Sequence, residues 1–147
     1  MNEEEISKYI VGTFEGVETA MDGDNIFFFF GPERMFPFAT LSANDAYDQV
    51  SDLNRPGVFR LNMGVSKETF RALFGTPRAA SDTGENADSE YDYKALNRLM
   101  PHPTYGRQYW VCILTPSDTT FKESVHPLLA EAYEKDVKKH TKRAARS

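Results

Sequence analysis

The spacing of apolar residues changes along the chain, and each change predicts an element. Asn2 followed by Glu5 has the form of a capping box, and Ile6, Tyr9 and Ile10 then recur at helical spacing up to Gly12, which predicts a first helix over about 3–12. Val17, Thr19 and Met21 alternate as a strand, Asp22-Gly23-Asp24-Asn25 signals a turn, and Ile26 to Phe30 is a second β-rich run, so the pair reads as a hairpin. Phe38 to Leu41 makes a third strand, and Ser42 to Val50 has room for a short helix. From Val58 to Val65, Phe59, Leu61, Met63 and Val65 share one face while Arg60 and Asn62 share the other, the alternation of a half-buried antiparallel strand. Ser66 then caps a helix with Phe70, Leu73 and Phe74 as its stripe, and Gly75 and Pro77 end it.

Residues 76–90 contain no large apolar side chain and cannot offset their own ordering by burial, which predicts a mobile loop. Beyond it, Tyr93 to Met100 reads as a short helix with Leu96 and Leu99 inward, and Pro101-His102-Pro103 as a stiff extended connector. Gln108 to Leu114 is a last, central strand, and a final helix starts near Val125 or Pro127 and runs to about 140 with Val125, Leu128, Leu129, Ala132, Tyr133 and Val137 inward. These elements predict one α+β domain over 1–147, an antiparallel sheet packed by N-terminal, middle and C-terminal helices, with a basic tail at about 138–147.

Composition narrows the classes. A single cysteine, Cys112, excludes an intrachain disulfide and a cysteine-rich zinc site, which points to a reducing compartment. The acidic start Met-Asn-Glu-Glu-Glu is unlike a signal peptide, and no apolar run approaches the ~20 residues that span a bilayer, so a cytoplasmic protein with no membrane association is expected. The formal net charge is −5, yet Lys135, Lys138, Lys139, Lys142, Arg143 and Arg146 crowd the last turns against Glu134 and Asp136. The rest of the chain is therefore more acidic than the total, which disfavours nucleic acid, whose affinity comes largely from neutralised phosphates. The basic end itself reads as a solvated helix terminus complementing the macrodipole, or as an arm for a polyanion.

The segments Glu15-Gly16-Val17, Arg60-Leu61-Asn62-Met63, the Trp110 strand and the closing Ala132-Tyr133 resemble, in this order, the MmcQ/YjbR-like family of small bacterial proteins. More closely, Arg55-Pro56-Gly57-Val58-Phe59-Arg60-Leu61-Asn62 and Met100-Pro101-His102-Pro103-Thr104-Tyr105-Gly106 look like an uncharacterised bacterial family of about this length. The resemblance implies a frataxin-like α+β fold and, from the family's usual label, DNA binding of the double-wing type. Against that label, Pro103 to Tyr109 offers Arg107 as its only basic residue, where the family is rich in Asn, Lys, Arg and His.

Arg60 and Asn62 project from one strand face, and Arg suits a carboxylate or phosphate fork; equally, exposed polar alternation is the default of an antiparallel sheet, which makes that face solvated. His102 stands between prolines with Tyr105 and Arg107 behind it, a set able to orient an anionic ligand or run acid–base chemistry, or else a connector whose His caps backbone. If a small-molecule site exists, Arg60, Asn62, His102, Tyr105 and Arg107 are expected to converge on it. Cys112 and Trp110 read as buried packing, and His102, His126 and His140 lack the spacing of a helical metal pair, so neither metal nor cofactor is expected. Phe27 to Phe30 places aromatics on both strand faces, so a second face needs cover, a ligand or a self-association partner. The expected function is a non-enzymatic small-ligand or partner-binding module, monomer or homodimer. The alternatives are a double-wing DNA-binding protein and an enzyme acting on an anionic small molecule through His102 and Arg107.

Overall fold

Reciprocal capping starts the first helix. In α1 (Glu3–Thr13) the Asn2 Oδ1 accepts from the Glu5 amide at 2.8 Å and the Glu5 Oε1 accepts from the Asn2 amide at 3.0 Å, satisfying two donors that a helix leaves open. The computed structural model describes residues 2–31, 36–45, 50–75 and 91–146. The expected loop at 76–90 lies outside the described residues, as do residues 46–49 of the short helix expected within 42–50; its first residue, Ser42, belongs to a strand.

Six strands follow: β1 (Val17–Asp22), β2 (Asn25–Phe30), β3 (Ala39–Ser42), β4 (Arg60–Gly64), β5 (Met100–Pro101) and β6 (Trp110–Leu114). They form one antiparallel sheet in the order β1-β2-β3-β4-β6-β5, so strands from either side of 76–90 pair in it. The hairpin turns at Gly23-Asp24, where Gly23 supplies the positive φ that a two-residue turn matched to the strand twist demands. α2 (Lys67–Phe74) is capped by Ser66 and buries Phe70, whereas Leu73, expected inward, is 43 % exposed.

One expected helix fails and another runs longer, for reasons visible in the chain. No helix spans Tyr93 to Met100: Asn97 takes a left-handed φ of 60°, its amide donates to Leu114 O, and Met100 instead pairs with Cys112 as edge strand β5. Leu96 is consequently 49 % exposed, and Tyr93 and Met100 are the buried residues. The last helix, for its part, starts where expected, at His126, and runs past 140 to Arg146. Ser117 caps the turn α3 (Asp118–Thr120), a π-helical turn covers Phe121–Val125, and α4 (His126–Arg146) continues from it. A proline inside a regular helix lacks the N–H for, and crowds, the carbonyl four residues back, and the wider π turn immediately before Pro127 accommodates it. The basic tail is thus helical to Arg146. Among the described residues no helix is long and apolar enough to cross a membrane.

One sheet face is dry. Phe28, Leu41, Leu61, Met63, Val111 and Ile113 pack there against Ile6 and Ile10 of α1 and Leu129 and Ala132 of α4. Tyr9 stacks on His126 with centroids 4.1 Å apart and planes 7° from parallel, and Phe121 closes edge-on against both, so the π turn is where α1 docks. The other face divides. A smaller cluster of Leu53, Tyr93, Met100, Cys112 and Leu114 covers its β5–β6 end and leaves the part over β2, β3 and β4 to the cavity described below.

Leu129, with no exposed surface, and half-exposed Leu73 separate packing from patterning. Leu129→Ala is expected to cost about 2–5 kcal/mol and Leu73→Ala under about 1 kcal/mol, measured as urea midpoints at unchanged slope. Burial, and then Lys122, hold the His126 pKa below its ordinary 6.5. The folded state therefore binds fewer protons than the unfolded chain near that value, and stability falls as pH drops through and below 6.5. Thermal melts of wild type and His126→Gln between pH 7.5 and 5 are expected to show a shallower decline for the variant.

Candidate functional site

The polar residues of β3 and β4 meet by register: Ser42 lies opposite Arg60 and Thr40 opposite Asn62. Their side chains form a ladder. Arg60 Nε donates to Asn62 Oδ1 at 2.9 Å, Arg60 Nη1 donates to Ser51 Oγ at 3.0 Å, and Asn62 Nδ2 donates to Thr40 Oγ1 at 2.9 Å and Ser42 Oγ at 3.0 Å. Arg60 is 2 % exposed and Asn62 1 %. The solvated-face expectation is therefore wrong, because this face of β4 is roofed over and its polar groups bond to one another instead of to water.

The ladder floors a cavity of about 690 Å³. The segment from β5 to β6 builds one wall. His102 Nδ1 accepts from the amides of Thr104 and Tyr105, both at 3.0 Å, which fixes the ring and leaves its proton on Nε2. The Tyr105 ring lies 5.0 Å from the imidazole, and Trp110 meets it edge-on at 6.5 Å. A 3₁₀ turn over Gly106–Gln108 links them; its three-residue period eclipses Tyr105 with Gln108, and both line the cavity. Phe27 and Phe36 provide aromatic surface contributed by the other end of the sheet.

Four of the five residues expected to converge, Arg60, Asn62, His102 and Tyr105, line this one cavity. Arg107 does not: the same 3₁₀ period that puts the exposed Tyr105 and Gln108 on the lining leaves it off. His102 does cap local backbone, and it stands in the wall as well. Phe27, whose run is expected to need cover or a ligand, lines the cavity, and so do Thr40, Ser42 and Trp110, which sequence reasoning misses as site residues. Thr40 and Ser42 alternate with buried Ala39 and Leu41, the same period-two signal that exposed Arg60 and Asn62, but the strand was placed one residue early, at Phe38. Trp110, expected in the core, is half-buried and faces the cavity.

Its position depends on a glycine. Gly64 pairs with Trp110 across β4 and β6, and a Cβ there would stand 2.9 Å from Trp110 Cε2 and 3.2 Å from its indole nitrogen. The indole therefore lies across β4 where any larger residue would hold it off. The described residues contain no grouping of three or more His, Cys, Asp or Glu side chains fit for a metal ion, and none of the described residues lining the cavity carries a carboxylate. Gly64→Ala is expected to displace the indole, shifting the emission of this single tryptophan and destabilising the fold by about 1–3 kcal/mol, as overpacking does; unchanged emission and stability contradict the close approach.

Comparison with known proteins adds a family and no activity. No curated protein and no solved structure matches the chain. Residues 1–145 match the family described as Family of unknown function (DUF6194), and the match spans almost the whole chain, so the protein belongs to that family.

Proposed function

We propose that the protein is a small-molecule binding module whose ligand occupies the cavity over β3 and β4. The observation that carries the reading is a buried, hydrogen-bonded polar ladder at the floor of an aromatic-walled space. Its volume of about 690 Å³ falls within the range of ordinary ligand pockets, which are mostly apolar with a few fixed polar groups. Burying a guanidinium and an amide is unfavourable unless their bonds are completed, so a purely packing role would be served more simply by apolar residues on this face.

Catalysis through His102 has less support. Nδ1 is occupied by two amides, and among the described residues neither a carboxylate nor a cysteine sulfur lines the cavity to complete an acid–base or nucleophilic set. Double-wing DNA binding draws no support from this face, where Arg60 is the one Lys or Arg among the described lining residues and is itself buried.

A fragment library screened by melting temperature and by Trp110 emission tests the reading. Fragments that stabilise the protein are expected to change Trp110 emission, with stabilisation growing with concentration as mass action requires. The reading fails if stabilising fragments leave Trp110 and the amide resonances of Thr40 and Asn62 unmoved.

A further inference from the structure

Hydrogen-bond direction at the cavity floor defines what can meet it. Arg60 has donors and no acceptor, so the atom of Asn62 that faces Nε at 2.9 Å has to be the carbonyl oxygen. The Asn62 amide therefore cannot be turned round, and its two N–H protons go to Thr40 Oγ1 and Ser42 Oγ. A hydroxyl oxygen that accepts from Asn62 keeps its own proton for an acceptor elsewhere. Neither hydroxyl donates to another group among the described residues, and both line the cavity. Among the described residues the floor thus offers protons, and no Asp or Glu is on the lining.

The walls have a different character. Phe27, Phe36, Tyr105 and Trp110 surround this floor with aromatic rings, and Gly64 permits the Trp110 indole to lie across β4. Aromatic rings favour flat partners, stacked or edge-on, over saturated ones of equal size.

Resting on the binding reading above, we infer that the ligand is a planar aromatic or heteroaromatic ring bearing acceptor oxygens, as carbonyl or carboxylate, seated between the aromatic walls with its oxygens toward Thr40 and Ser42. Asn62 and Arg60 act as positioning residues that orient the two hydroxyls, and the hydroxyls make the contact.

Titration of Trp110 emission and of amide resonances with four probes at millimolar concentration tests the class: benzoate, acetophenone, benzylammonium and cyclohexanecarboxylate. Benzoate or acetophenone is expected to bind at least about tenfold more tightly than the other two, the discrimination that one charge-assisted or well-formed hydrogen bond gives. Benzoate ahead of acetophenone assigns a carboxylate, and the reverse order a neutral carbonyl. Thr40→Val is expected to weaken the preferred probe about tenfold while leaving toluene binding unchanged. Phe36→Ala, on a lip that is 60 % exposed and hence harmless to folding, is expected to weaken both. Equal binding of benzylammonium or cyclohexanecarboxylate, or a Thr40→Val variant that folds and binds the preferred probe as wild type does, overturns the ligand class and leaves the cavity as a binding site. If neither these probes nor any library fragment perturbs Trp110, the binding reading itself falls, and this inference with it.

Discussion

A guanidinium can only donate, and Arg60 is buried in the middle of the sheet. From that constraint follow the orientation of Asn62, the direction of the Thr40 and Ser42 hydroxyls, and the need for an acceptor at Ser51 Oγ. Ser51 is in turn held from outside. Its carbonyl accepts from Arg55 Nη2 at 2.9 Å, and the same guanidinium donates to the carbonyls of Asp52 and Lys94, tying the approach to β4 to the segment before β5. A charged group taken out of water costs several kcal/mol unless its bonds are completed, so this surrounding shell is as much a part of the floor as the ladder.

β4 carries the ladder and is pinned at both ends. Before it, the Thr115 amide donates to Phe59 O at 3.0 Å; after it, the Val65 amide donates to Tyr109 O at 3.0 Å and Lys135 Nζ donates to Val65 O at 2.6 Å. Burial, opposed only in part by Glu131 and Asp136, lowers the Lys135 pKa. One turn earlier on α4, the Glu131 carboxylate accepts from the Ser66 amide, the Ser66 hydroxyl and the Thr69 hydroxyl, joining the start of α2 to the same helix. The dry face thus acts as a rigid backing that fixes the strand whose opposite face floors the cavity.

The four successive phenylalanines show how the two faces share one strand. Phe28 is fully buried against the helices, and Phe30 meets Tyr133 and His140 edge-on near α4. Phe27 emerges on the other side, in the cavity wall. The alternation assigns faces. What covers each face depends on parts of the chain far from it: α4 on one side, the His102 turn on the other.

Local rules made much of this legible before any fold was known. The capping box at Asn2 and Glu5, the Gly23 turn, the Ser66 cap and the alternation from Phe59 to Val65 each depend on residues within a few positions of one another, where sterics and hydrogen bonding act without tertiary help. From them came the α+β class, the antiparallel sheet and the shared face of Arg60 and Asn62. Sequence reasoning missed where a partner distant in the chain decided, Leu114 accepting from Asn97 instead of a helix forming there, and where a local turn set the period, the 3₁₀ turn that places Gln108 and not Arg107 on the cavity lining. The sequence by itself determined which side chains share a strand face, because pleat and period are properties of the backbone. Only the tertiary structure decided that the face of Arg60 is roofed and donor-lined and not open to water, because burial and hydrogen-bond direction depend on what the rest of the chain brings to it.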